Sequence, residues 1–222
     1  MSLPTGPAPT AHVWAQSLNG RVLDLLAPDP ATVDFREIAY ALAGLNRYAG
    51  NALWPVSVAF HTLIAFEAAE PDIKPYVLLH DAHETRLGDI TTPAAQALDA
   101  VAAAILGTND GDIRDALNFL KRNHDLAIWA AAGLPEPKTP QKARIARCDI
   151  VALNTERRDF LSASPKKWAA VVESVPPATK VYRPTSFGRT AHDVAERLLA
   201  EFRTHLPVFA TGVPLPHEGT SA

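Results

Sequence analysis

Cysteine is nearly missing from this chain: Cys148 is its one thiol in 222 residues. A single thiol cannot close an internal disulfide, and the scarcity fits a reducing compartment. Basic blocks are missing too. The 21 Lys and Arg stand against 24 Asp and Glu, for a formal net charge of -3. That balance suggests neither a nucleic-acid duplex nor an anionic membrane as partner. No apolar run is long enough to cross a bilayer. The N-terminal stretch is rich in Pro and Thr, with neither a basic start nor an apolar run, so no secretory signal is expected. No internal repeat is visible. These absences leave a soluble cytoplasmic protein as the expectation. What the chain does have is apolar mass: 47% of it is hydrophobic, enough for one domain with a sizeable core.

Residues 1–12 are expected to be flexible, 13–205 to form the single domain, and 206–222 to be a flexible tail. Between Trp14 and Leu26, Asn19-Gly20-Arg21 is a turn signal, read as a short extended or hairpin segment. Thr32 or Asp34 then caps a helix carrying Phe35, Ile38, Leu42 and Leu45. Pro55 opens a second helix that Pro71 ends. Pro75 opens a third that stops at Gly88. Thr91-Thr92-Pro93 restarts the chain into an Ala-rich helix near 94–106. Long helices are read at 112–132, 138–161 and 190–204, with a short one near 168–175 and an extended stretch over 176–186. The sum is an all-α bundle of roughly seven to nine helices. It leaves room for one small strand pair near the N- and C-terminal segments.

Chemistry concentrates in His80-Asp81-Ala82-His83-Glu84, which follows the apolar Val77-Leu78-Leu79. Adjacent His and Asp can share one metal ion, since imidazole and carboxylate both suit Zn, Mn, Co or Fe(II). On a helix Glu84 lies one turn beyond them, placed to take a proton from a water the ion activates. Two further polar groups stand where a core is expected. His61 sits among Ala59, Phe60, Leu63 and Ile64, and Asp149 lies in the run from Ile145 to Leu153. Burying either unpaired would cost several kcal/mol, on the order of 2–7 for a neutral group. A shared cation removes that cost. The bland alternatives are a hydrogen-bonded core histidine and a solvent-facing aspartate.

His61, then His80-Asp81, then Asp149, all on helices, resembles the HD superfamily of metal-dependent phosphohydrolases. Arg47-Tyr48 ahead of Ser57 to His61, and Gly88-Asp89-Ile90-Thr91-Thr92-Pro93 after the His-Asp pair, resemble one branch of it. That branch holds bacterial deoxyribonucleoside 5'-monophosphatase and phage deoxynucleotide (dATP) triphosphohydrolases. Asp149 followed by Leu153 to Asp159 is similar to its last motif helix. The resemblance implies an HD-domain bundle. It implies one divalent transition metal (Co2+, Mn2+ or Zn2+) on His61, His80, Asp81 and Asp149, with Glu84 as the catalytic carboxylate. Arg47 would hold a substrate phosphate, Asp89 would meet the sugar, and Tyr48 or Trp54 would flank base or phosphate. The implied substrate is a deoxynucleoside mono- or triphosphate, and the implied assembly a homo-oligomer. The alternative is a non-catalytic HD protein that binds a nucleotide or metal. The chain departs from the branch at Phe60, where Glu is usual, and at Ala94-Ala95, where a Lys is usual.

The other candidates receive mainly structural readings. His83 is read as a surface residue or an added pocket donor. His124 and His192 are read as surface or core packing, and Trp129 and Trp168 as core. Lys121-Arg122 and Arg157-Arg158 are read as solvated faces, and Cys148 as buried and inert.

Overall fold

The computed structural model describes residues 12–210. The expected flexibility of 1–11 and 211–222 lies outside the described residues. Among them the fold is helical with one small antiparallel strand pair, as expected. Strands β1 (Trp14–Gln16) and β2 (Val22–Asp24) form a hairpin in which Ala15 faces Leu23. Gly20, with φ of 81°, makes the turn between them. Both strands come from the N-terminal segment. The stretch 176–186 pairs with nothing as a strand, which corrects that expectation. Side chains of a neighbouring helix satisfy its backbone instead: Thr155 Oγ1 accepts from Ala178 N–H at 2.8 Å and Asp159 from Tyr182 N–H at 2.8 Å.

The first helix, α1 (Phe35–Gly44), is capped by Asp34, whose carboxylate accepts from Arg36 and Glu37 N–H. The second, α2 (Val58–Glu67), begins three residues beyond Pro55, after the Ser57 cap. Every residue of α2 from Val58 to Phe66 is buried, so this helix is apolar all round and runs through the core. Then come α3 (Lys74–Val77) and α4 (Glu84–Leu87). The expected single helix over this region is broken. Between α3 and α4 the chain tightens into turns with three-residue hydrogen bonds, such as Ala82 N–H to Leu79 C=O at 3.1 Å. His80 helps cause the break: its Nδ1 takes the Val77 carbonyl at 2.7 Å, competing with the backbone for that acceptor.

Thr91 caps α5 (Thr92–Leu106), and a long α6 (Asp112–Ala132) follows. Next are α7 (Thr139–Phe160) and the short α8 (Ala170–Glu173). Thr190 and Asp193 form a reciprocal cap on α9 (Ala191–His205). Gly188 is obligatory before that cap, because a Cβ there would stand 2.3 Å from Asp193 Cβ. Residues 206–210, expected to belong to a flexible tail, are packed instead. Leu206 is buried, and α10 (Pro207–Ala210) sets Phe209 edge-on to Phe35 at 5.8 Å. Helix α1 packs on α9, and α2 on α7. That second pairing positions the site. No described helix is long and apolar enough to cross a membrane.

Candidate metal centre

His61 is fully buried because α2 has no solvent face. Both ring nitrogens therefore need partners inside the protein. Nδ1 lies 2.8 Å from Glu156 Oε1, and Nε2 lies 3.0 Å from Asp149 Oδ1. Asp149 and Glu156 stand seven residues apart on α7, two turns along one face, so both reach α2. The turn between α3 and α4 supplies the rest. His80 Nε2 is 3.3 Å from His61 Nε2 and 3.2 Å from Asp81 Oδ2, which in turn lies 3.7 Å from His61 Nε2. The structure thus brings His61, His80, Asp81 and Asp149 together.

The tautomers decide what this group can hold. His61 Nδ1 faces a carboxylate and His80 Nδ1 a carbonyl. A neutral His80 ring therefore carries its proton on Nδ1 and turns a bare Nε2 lone pair inward, and His61, which also meets Asp149 at Nε2, does the same when its proton stays on the Glu156 side. Two such lone pairs and two carboxylates repel unless a cation or protons lie between them. The charges already lean that way. Burial and Arg47 both work against a charged His61, yet Glu156 and Asp149 outweigh them and push it up to about 10. Burial opposes a charged His80 as well, and Asp81 raises it. Burial would raise the two aspartates, but His80 holds Asp81, and His61 holds Asp149, below the usual carboxylate range. Two imidazoles and two carboxylates suit Mn2+, Co2+ or Zn2+, so the donor set fits such an ion.

Glu84 opens α4 and is 5% exposed. Burial, then Asp81 and Asp89, push its carboxyl up to about 8, against Arg47 and Lys121. Its Oε2 is buried without a hydrogen-bond partner. Gly88 ends α4 with φ of 79° and turns the chain to Asp89. Burial raises the Asp89 carboxyl, Arg47 opposes and Asp81 adds to the rise.

Arg47 and Tyr48 close the other side. Arg47 Nε reaches Glu156 Oε2 at 3.1 Å and its Nη1 reaches Asp81 Oδ2 at 3.5 Å. Burial disfavours its charge, but Glu156 and Asp81 more than restore it. Tyr48 donates its hydroxyl to Glu156 Oε2 from a backbone with φ of 59°, and Ala49 follows at φ of 50°. Consecutive left-handed non-glycine residues cost about 1–3 kcal/mol each and persist where neighbours hold them. Trp54 lies on the same loop but is 56% exposed.

Several sequence readings need correction. His83 is buried, not on the surface, with Nδ1 2.9 Å from Asp125 Oδ1 on α6. Trp168 is half-buried under the Arg157 guanidinium and belongs to no core. Lys121 is half-buried, and its charge bears on Glu84 and Asp89, so it is more than a solvated face. Others hold. His124 is buried, with Nε2 3.1 Å from the Leu25 carbonyl, and His192 meets the Tyr40 hydroxyl at 3.2 Å. Cys148 is buried and its thiol is pushed up by burial, away from reactivity. Phe60 fills an aromatic cluster edge-on to Phe160 and Phe187.

Sequence reasoning missed Glu156, which ties three site residues together. Its spacing of seven from Asp149 was the available signal. For Asp125 no local signal exists, because its partner lies 42 residues away.

No family model matches the chain. Over 163 residues it is 39% identical to an uncharacterized protein of Rhodobacter capsulatus, covering 69% of this chain and 76% of that protein. The chain therefore belongs to the same family as that Rhodobacter protein.

Proposed function

We propose that this protein is an HD-type phosphohydrolase acting on deoxynucleoside phosphates, as a 5'-nucleotidase on monophosphates or a triphosphohydrolase on triphosphates. One observation carries the reading. Fully buried His61 and part-buried His80 turn their Nε2 atoms toward each other at 3.3 Å, beside Asp81 and Asp149. No neutral packing role calls for that arrangement. His61, His80, Asp81 and Asp149 hold the ion. When bound, a divalent cation supplies an acidified water and positive charge for phosphoryl oxygens.

The protein's own groups do the remaining work. Glu84, buried at the start of α4, accepts the proton through its other carboxylate oxygen, Oε1, as water attacks phosphorus. Arg47 is a permanent cation whose Nε and Nη1 are engaged by Glu156 and Asp81, leaving Nη2 for a phosphate oxygen. Lys121 provides positive charge on the Glu84 and Asp89 side, where the branch usually places a Lys near Ala94-Ala95. Asp89, half-buried and close enough for its charge to act on Glu84, would meet a sugar hydroxyl. A homo-oligomer is part of the proposal. It is supported by Leu98, Val101 and Ile105, which leave an exposed apolar stripe at helical spacing on α5.

The test is a product assay. Each dNMP and dNTP is incubated with the protein and Co(II), Mn(II) or Mg(II), and the products are separated. Phosphate from dNMPs indicates the nucleotidase, and triphosphate with deoxynucleoside indicates the triphosphohydrolase. Glu84→Gln should lower turnover by about 100-fold or more. No product with any metal would refute the enzymatic reading and favour the binding one.

A further inference from the structure

His83 stands two residues past Asp81 and takes no part in the four-residue group. Its side chain is 7% exposed, and Nδ1 lies 2.9 Å from Asp125 Oδ1. A neutral ring held this way carries its proton on Nδ1 and keeps a bare lone pair on Nε2. That Nε2 is buried and has no partner, and so is Glu84 Oε2. One ligand atom each from Asp81, His83 and Glu84 lies within 4.8 Å of the other two. Two buried acceptors left without donors, on residues whose ligand atoms come this close, call for a shared positive partner.

We propose that Asp81, His83 and Glu84 form a second divalent-cation site beside the first, bridged by Asp81. The Asp125–His83 pair repeats the Glu156–His61 pair: a carboxylate fixes Nδ1 and leaves Nε2 to ligate. Asp81 makes its contacts to His80, His61 and Arg47 through Oδ2, and a carboxylate bridges two ions by giving one oxygen to each. One imidazole and two carboxylates match Mn2+, Co2+ or Zn2+. The site rests on the reading of His61, His80, Asp81 and Asp149 as a metal centre. Within that reading it makes the centre binuclear, the arrangement that clamps both attacking and leaving oxygens of a phosphoester.

Metal binding tests this directly. The full chain is stripped, reloaded with Mn(II), and its bound manganese counted by elemental analysis and by titration of the free-Mn(II) EPR signal. Two ions per chain with an exchange-coupled spectrum are expected, and His83→Ala should retain one. Asp125→Ala guards against a folding defect in that variant: it should weaken the second ion by about 10- to 100-fold with the first unaltered. One ion in the wild type, unaffected by His83→Ala, overturns the second site and leaves the first standing. No bound ion overturns both. Two ions with uncoupled spectra overturn the Asp81 bridge.

Discussion

Replacing Glu156 by Gln should weaken the cation at the first site by about 10- to 100-fold, or about 1.4–2.7 kcal/mol. Glu156 is fully buried and accepts from three groups: His61 Nδ1–H, Arg47 Nε–H and the Tyr48 hydroxyl. Glutamine keeps the shape but accepts at one end only. With its carbonyl on His61, its NH2 confronts two donors, Arg47 and Tyr48. Flipped, its NH2 faces Nδ1 and drives the ring proton to Nε2, the atom that must ligate. Either orientation leaves a mismatch at a fully buried side chain. Stability falls too, since removing one member of a buried ion pair costs about 3–5 kcal/mol. Domains commonly hold only about 5–15 kcal/mol, so Glu156→Ala threatens folding and Gln is the variant to assay. Calorimetric titration of stripped protein with Co(II), alongside urea unfolding, reads both effects. A folded Glu156→Gln protein binding Co(II) within about twofold of wild type would refute the tautomer argument.

Arg47→Lys should keep bound metal but lower catalytic efficiency by about tenfold or more, because an ammonium cannot bond Glu156, Asp81 and a phosphate in one plane. Unchanged efficiency in steady-state assays would remove Arg47 from substrate binding. Phe35, buried and edge-on to Phe202 at 6.0 Å and Phe209 at 5.8 Å, should cost about 3–5 kcal/mol on truncation to Ala. A loss below about 1 kcal/mol in urea unfolding would show that α9 and α10 pack loosely there. Burial, aided by Arg86, lowers His124 to about 4 from 6.5, against the pull of the Leu25 carbonyl. The unfolded chain then binds a proton that the folded one refuses. Stability is full above about 6.5 and is lost as pH falls toward about 4, by on the order of 2 kcal/mol after allowing for partial solvent screening. His124→Gln should flatten that slope in urea midpoints taken across the range, and equal slopes would sink the assignment.

Caps and breakers made much of the helical order legible. Asp34 and Thr91 start α1 and α5, and Gly133 ends α6 near the expected residue. These are local effects, since each cap bonds N–H groups two or three residues away. His61 and Asp149 stood out because their neighbours are apolar. In the structure that contrast holds for His61, which is fully buried, while the Asp149 side chain is 42% exposed.

Other features depended on packing between distant segments. A helix propensity cannot foresee that His80 will take the Val77 carbonyl within a broken helix while its Nε2 faces His61 and Asp81, because His61 lies 19 residues away on another helix. The stretch 176–186 looks extended, yet α7 side chains satisfy its backbone and no strand forms. His83 reads as a surface residue or a pocket donor until α6 brings Asp125 against it. Sequence by itself determined the helical class, the strand turn at Gly20 and the residue types able to hold a cation, because periodicity, caps and side-chain chemistry act locally. Only the tertiary structure decided which group each histidine nitrogen faces and which left-handed residue is worth its strain at Tyr48. Those depend on contacts across 42, 95 and 108 residues of chain, which close only when α2, α6 and α7 pack.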